Sequence, residues 1–201
     1  MIRLSIDWRI SRLIGFGAFL LVASLTGCAE MPMSLPKPTI ENTVRMRAGG
    51  PVLGAMAVGE FRLDAALPAS VDRGVSVRSN MVRSPLENSF AQYLRETLRV
   101  ELQSAGLLDP HSDTVITGSL LKSSIEAPVG TGRATLAARF VVTRTATVLY
   151  DRILTASTEW DSAFLGVSAI PQAAGQYESL YRSLIGQLLE DAAFRAAVAK
   201  S

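Results

Sequence analysis

The sequence predicts an α+β fold, a two-layer sandwich in which a mostly antiparallel sheet carries two amphipathic helices on one face. Three observations predict it. From Ala134 onward apolar and polar residues alternate, the period-two pattern of a strand with one dry and one wet face. Leu86, Phe90, Leu94, Leu98 and Leu102 recur at every fourth position, the stripe of a helix lying on a core. A second stripe, Tyr177, Leu180, Tyr181, Leu184 and Leu188, comes near the end of the chain, so the helices do not alternate with every strand.

Taken in order, residues 52–61 are short and apolar enough for a buried strand, although their glycines weaken it. Residues 64–74 carry Pro68, Ser70, Asp72 and Gly74 and read as a turn-rich loop before a second short strand at 75–78. Ser84-Pro85-Leu86-Glu87 has the form of a capping box with proline at the first helical position, so the first helix is expected to start there. It ends at Gly106, a residue suited to the left-handed C-terminal position. A strand over 114–125 tolerates a bulge at Gly118, and residues 129–132 make a hairpin turn. The next strand places Leu136, Ala138, Phe140, Val142, Ala146 and Val148 on the dry face, and Thr135, Arg139, Thr143, Thr145 and Thr147 on the wet one. A tight turn at Tyr150-Asp151-Arg152 leads to a third strand over 153–160, completing a meander. Pro171 opens the final helix, which continues or restarts over 191–199.

The length of 201 residues fits one domain, and 48% hydrophobic with 19% charged residues is ordinary for a globular chain. One cysteine excludes an intramolecular disulfide and a cysteine-based zinc site, and one histidine leaves little room for histidine-dependent catalysis. The formal charge of +2 resides in the first 27 residues, where Arg3, Arg9 and Arg12 face a single Asp7. The remainder is neutral and has no Lys/Arg run, so nucleic acid is not an expected partner.

Those first residues read as a basic start, an apolar run over 13–23 and a small-residue exit, the three regions of a secretory signal peptide. The run is well short of the roughly 20 residues that span a bilayer. Leu25-Thr26-Gly27-Cys28 resembles the lipobox of bacterial lipoproteins. The resemblance implies cleavage after residue 27 and a triacylated Cys28 at the new amino terminus. Three acyl chains exceed the two signals that stable anchoring requires. In enterobacteria an aspartate after that cysteine retains lipoproteins in the inner membrane. Ala29 stands there instead, so the implied address is the periplasmic face of the outer membrane. Residues 28–51, with Pro32, Pro36, Pro38 and Gly49-Gly50-Pro51, read as a flexible tether, with an edge strand over 39–46 as the equal alternative. The domain proper is then 52–201.

Reactive constellations are few. Ser119 and Lys122 have the S-x-x-K spacing of penicillin-binding proteins, but that chemistry needs a helix, and residues three apart on a regular strand point to opposite faces. Asp109, His111 and Asp113 are ordinary turn formers beside Pro110. Gly130-Thr131-Gly132-Arg133 lacks the lysine of a phosphate loop and lies between strands. The one surface singled out for binding is the wet face carrying Arg139, Thr143 and Thr145, whose hydroxyls and guanidinium suit phosphates or sugars of lipopolysaccharide. No catalytic residue, cofactor or metal is expected.

The lipobox, the F-x-x-Y-L-x-x-x-L segment from Phe90 to Leu98, Ala105-Gly106, the strand entered at Asp113, the region of Phe164 and Asp191-x-x-Phe194 together resemble the small outer-membrane lipoproteins of the YajG type. More distantly the layout is similar to the lipopolysaccharide-assembly lipoprotein LptE and to the auxiliary lipoproteins of PqiC-type lipid transporters. The resemblance implies a lipid-anchored, non-enzymatic periplasmic domain that serves envelope assembly or transport by binding an envelope protein. The alternative is a lipid or lipopolysaccharide binding module of an ABC-type lipid transport system.

Overall fold

Residues 29–48 and 50–200 are described by the computed structural model. In chain order they form β1 (Ala29–Pro32), α1 (Ile40–Arg47), β2 (Ala57–Leu63), α2 (Ser70–Arg73), β3 (Val75–Val77) and β4 (Asn80–Arg83). There follow α3 (Phe90–Ala105), β5 (Thr114–Glu126), β6 (Gly130–Arg144), β7 (Thr147–Ser162), α4 (Gly166–Glu190) and α5 (Ala192–Ala197). Residues 1–27, expected to be a signal peptide, and Cys28 lie outside the described residues.

The fold class is the expected α+β sandwich. β5, β6 and β7 form the antiparallel meander, and β2 adds to β5 to complete a four-stranded sheet of order β2-β5-β6-β7. β2 joins in parallel because the chain returns through α3, the crossover that parallel neighbours require. A smaller sheet has the order β1-β4-β3.

Helices α3 and α4 pack on the inner face of the large sheet. Phe90, Leu94, Leu98 and Leu102 of α3 are completely buried, as are Ile116, Leu136, Phe140 and Val142 of the sheet and Tyr177, Tyr181, Leu184 and Leu188 of α4. Rings pack edge to face within each layer, Phe61 on Phe140 in the sheet at 6.2 Å and Phe90 on Tyr177 between the two helices at 5.4 Å between centroids. Such pairs contribute about 0.5–1.5 kcal/mol beyond burial. Gly118 is required because the Phe61 ring occupies the space a Cβ would need, and Trp160 covers Gly132 in the same way.

Several boundaries differ from expectation. Residues 29–48 are built into the domain as β1 and α1, and α1 is a helix where an edge strand was the alternative to a tether. Buried Glu101 is the reason: its carboxyl accepts from the Thr39 amide at 3.1 Å, the Thr39 hydroxyl at 3.1 Å and the Asn42 amide group at 2.8 Å. Helix α3 starts at Phe90, capped by Ser89, because Glu87 and Asn88 adopt left-handed φ of 53° and 51°. Ser84 instead closes a turn, accepting from the Leu86 amide at 3.1 Å. The loop expected at 64–74 contains α2, and the single strand expected at 75–78 is a hairpin of β3 and β4.

The bulge of β5 falls between Leu120 and Lys122 rather than at Gly118. The β6–β7 turn lies at Thr145-Ala146, with φ of 47° and 65°, so Tyr150-Asp151-Arg152 is interior to β7. Ala146 and Val148 are accordingly exposed rather than on the dry face. Pro171 lies inside α4, five residues past its start at Gly166. Its missing N–H leaves the carbonyl of Val167, a residue 80% exposed, within reach of water.

Candidate functional site

The outer face of the four-stranded sheet is not covered by α3 or α4, and a shallow trough of about 300 Å³ runs across it. Glu60 and Arg62 of β2, Ser119 of β5, Arg139 of β6, and Val148 and Asp151 of β7 line it. Outward positions on neighbouring strands come together by register: Arg62 opposes Ser119, Ser119 opposes Arg139, and Arg139 opposes Ile153. Arg139 reaches diagonally to Asp151, donating from Nε at 2.6 Å and from Nη2 to the second carboxyl oxygen. That hydrogen bonding lowers the Asp151 carboxyl from its usual range and raises the guanidinium. Two arginines and two acids thus make the trough mixed in sign, without the excess of positive charge that would gather phosphates.

Of the residues expected on this face, Arg139 lines the trough and is engaged by Asp151. Thr143 is outward, between Val115 and Val148 in the register. Thr145 has left the face: it sits in the hairpin turn at φ 47°, where the strand has ended. Cys28 lies outside the described residues and immediately precedes β1. Asp151 was missed because a turn at 150–152 removes it from the sheet. With the hairpin in place, Arg139 and Asp151 are a diagonal cross-strand pair, and such neighbours lie within reach of long side chains.

The bulge also changes the reading of Ser119 and Lys122. It brings both residues to the outer face, opposite Arg139 and Ala137, whereas a regular strand would separate them. Lys122 is exposed and does not line the trough. Asp109 accepts from the His111 amide at 2.9 Å, a local turn, and among the described residues no three His, Cys, Asp or Glu side chains gather as a metal set. Inside, a chain of hydroxyls runs from Ser123 to Tyr177 and on to Tyr181, the last pair at 3.0 Å. Burial pushes the Tyr177 phenol up to about 12, so it stays protonated and serves packing.

On the outer edge, β7 pairs with β6 on one side only among the described residues and runs for 16 residues. Val148, Leu149 and Ile153 are 56%, 41% and 62% exposed along it. Among the described residues no helix is long and apolar enough to cross a membrane.

No family model and no curated protein matches the sequence. Solved structures do. Protein XCC0632 of Xanthomonas campestris, of the family DUF330, matches with a TM-score of 0.54 at 13% identity, over 80% of this chain and 95% of that one. This chain shares its fold. Hypothetical protein CT253 of Chlamydia trachomatis (TM-score 0.41, 13% identity, 68% of this chain and 96% of that one) is less similar. So is a minor lipoprotein of Acinetobacter baumannii (TM-score 0.36, 14% identity, 74% and 93%).

Proposed function

We propose that this chain is a non-enzymatic accessory protein of the bacterial envelope, held by acyl chains on Cys28 at the periplasmic face of the outer membrane, and that it acts by binding another protein along β7 and the adjoining sheet face. The observation that carries the reading is the combination of a long one-sided edge strand with exposed Val148, Leu149 and Ile153 beside a trough of mixed charge. An open edge offers backbone hydrogen bonds to an added strand, and alternate side chains supply specificity. The lipobox resemblance supplies the anchor, and the YajG-type likeness agrees with a lipoprotein without a reaction. The alternative, a lipid or lipopolysaccharide carrier, is less favoured. A carrier needs an enclosed apolar cavity, and the space between sheet and helices is filled by Phe61, Phe90, Phe140, Tyr177 and Tyr181.

The test is mass spectrometry, for proteins and lipids, of what accompanies the full-length chain purified in mild detergent after labelling with palmitate. The expected result is a palmitate-labelled chain with a stoichiometric envelope protein, which a Val148→Asp/Ile153→Asp variant loses. Cys28→Ser is expected to lose the label. A bound lipid without a protein would transfer support to the carrier, and a labelled Cys28→Ser chain would remove the anchor.

A further inference from the structure

Three connections meet at one end of the molecule. Arg78, in the β3–β4 turn at φ 54°, donates from Nε to the Ala127 carbonyl at 2.8 Å and from Nη1 to the Phe164 carbonyl at 2.9 Å. Its Nη2 donates to the Ala163 carbonyl at 2.5 Å and to the Ser162 hydroxyl at 3.3 Å. The β3–β4 hairpin is thereby fastened to the β5–β6 and β7–α4 connections, and Gly130 opposite Ser162 holds those two side by side.

This end exposes Val129 (61%), Phe164 (77%), Leu165 (61%) and Val167 (80%), an apolar group held in place by a buttressed loop. Exposed apolar residues grouped in this way mark a contact surface. Strand β1 also starts here. Ala29 opposes Asn80, two residues from Arg78, and β1 runs parallel to β4, away from the turn. Cys28 directly precedes Ala29, and one residue advances a chain by at most about 3.6 Å.

We propose that this end of the domain is seated on the lipid surface itself, with Val129, Phe164, Leu165 and Val167 entering the boundary between headgroups and acyl chains. The orientation rests on the acylation of Cys28. An anchor joined to β1 with no spacer holds the apolar group against the bilayer at high effective concentration, so its insertion needs no separate encounter. Arg78 gives its donors to carbonyls and so keeps the loops preorganised for that contact. Exposed Glu126 and Asp161 border the group, and the cost of desolvating carboxylates limits its depth to the interface.

The experiment places an environment-sensitive fluorophore on full-length, palmitate-labelled chains bearing Phe164→Cys or Val167→Cys. The control is Thr147→Cys in the opposite hairpin, about 45 Å away along the sheet. In vesicles of phosphatidylethanolamine and phosphatidylglycerol the labels at 164 and 167 are expected to emit at shorter wavelength and to be quenched by acyl-chain quenchers, while the label at 147 does neither. Labels at 164 and 167 that behave as at 147 would overturn the proposal. So would labels already shifted in a Cys28→Ser background in buffer, since the group would then be covered by the leader or by a second copy. An unlabelled chain whose 164 and 167 reporters still shift on vesicles would remove the acyl anchor and leave the lipid contact standing.

Discussion

Glu101 shows how one side chain decides where the domain begins. It is completely buried on α3 and accepts from Thr39, the cap of α1, and from Asn42 in its first turn. Removing it takes the acceptor from the half-buried Thr39 amide and hydroxyl and leaves the buried Asn42 amide group only the Arg182 carbonyl at 3.3 Å, and each unsatisfied group costs about 1–3 kcal/mol. Glu101→Ala is expected to lower stability by about 3 kcal/mol in urea unfolding, and Glu101→Gln, which keeps an acceptor, by less. A loss below about 1 kcal/mol for the alanine variant would count against this role. Nothing in the sequence marks Glu101 apart from other acids of the helix, because its partners come from a segment 59–62 positions away. Asp191, the cap of α5, acts instead through its charge. Burial alone would raise its carboxyl, but the amides of Phe194 and Ala193, the Arg152 guanidinium and the Tyr150 hydroxyl outweigh burial and hold it below the ordinary value of 3.8. A carboxyl depressed in the folded state stabilises the protein above its unfolded pKa, and that contribution is lost as pH falls through the folded one. The stability difference between the protein and Asp191→Asn is therefore expected to be full at pH 7 and to shrink below about pH 4. A difference constant with pH would refute the assignment.

At the scale of the element, patterns of period two and 3.6 identified β5, β6, β7, α3 and α4, but not all of their ends. The alternation after Ala134 runs through Thr143, Thr145 and Thr147 without a Gly or Asn to mark a turn, so the hairpin was placed at Tyr150-Asp151-Arg152. The turn falls instead on Thr145 and Ala146, both at positive φ, where pairing between β6 and β7 leaves two residues to reverse the chain. Non-glycine residues in that region cost about 1–3 kcal/mol each. Replacing Thr145→Asn and Ala146→Gly is thus expected to raise the unfolding midpoint by roughly 2–4 °C per kcal/mol recovered, with about 1 kcal/mol the minimum. An unchanged or lower midpoint would show that the turn is not strained. The start of α3 has a similar lesson. Ser84-Pro85-Leu86-Glu87 and Ser89 both offer a cap, and the left-handed pair Glu87-Asn88 decides for the second.

For the whole molecule, the class of fold, the dry face of the sheet as far as Val142 and the two helical stripes were readable in the sequence, because they are local repeats of burial. The signal-peptide and lipobox readings rest on a short linear pattern in residues 1–28, outside the described residues. The candidate face was readable only in part: Arg139 and Thr143 are outward as expected, while Thr145 lies in a turn and Asp151 joins from the next strand. Tertiary structure alone placed residues 29–47 in the domain, through Glu101 and the β1–β4 pairing, and alone brought Val129, Phe164, Leu165 and Val167 to the end where Ala29 begins. The sequence by itself determined the periodicity of the strands and helices, since that is carried by neighbouring residues. The docking of α1, the position of the hairpin, the charge pairing across the trough and the apolar end were decided in three dimensions, since each depends on contacts between residues far apart in the chain.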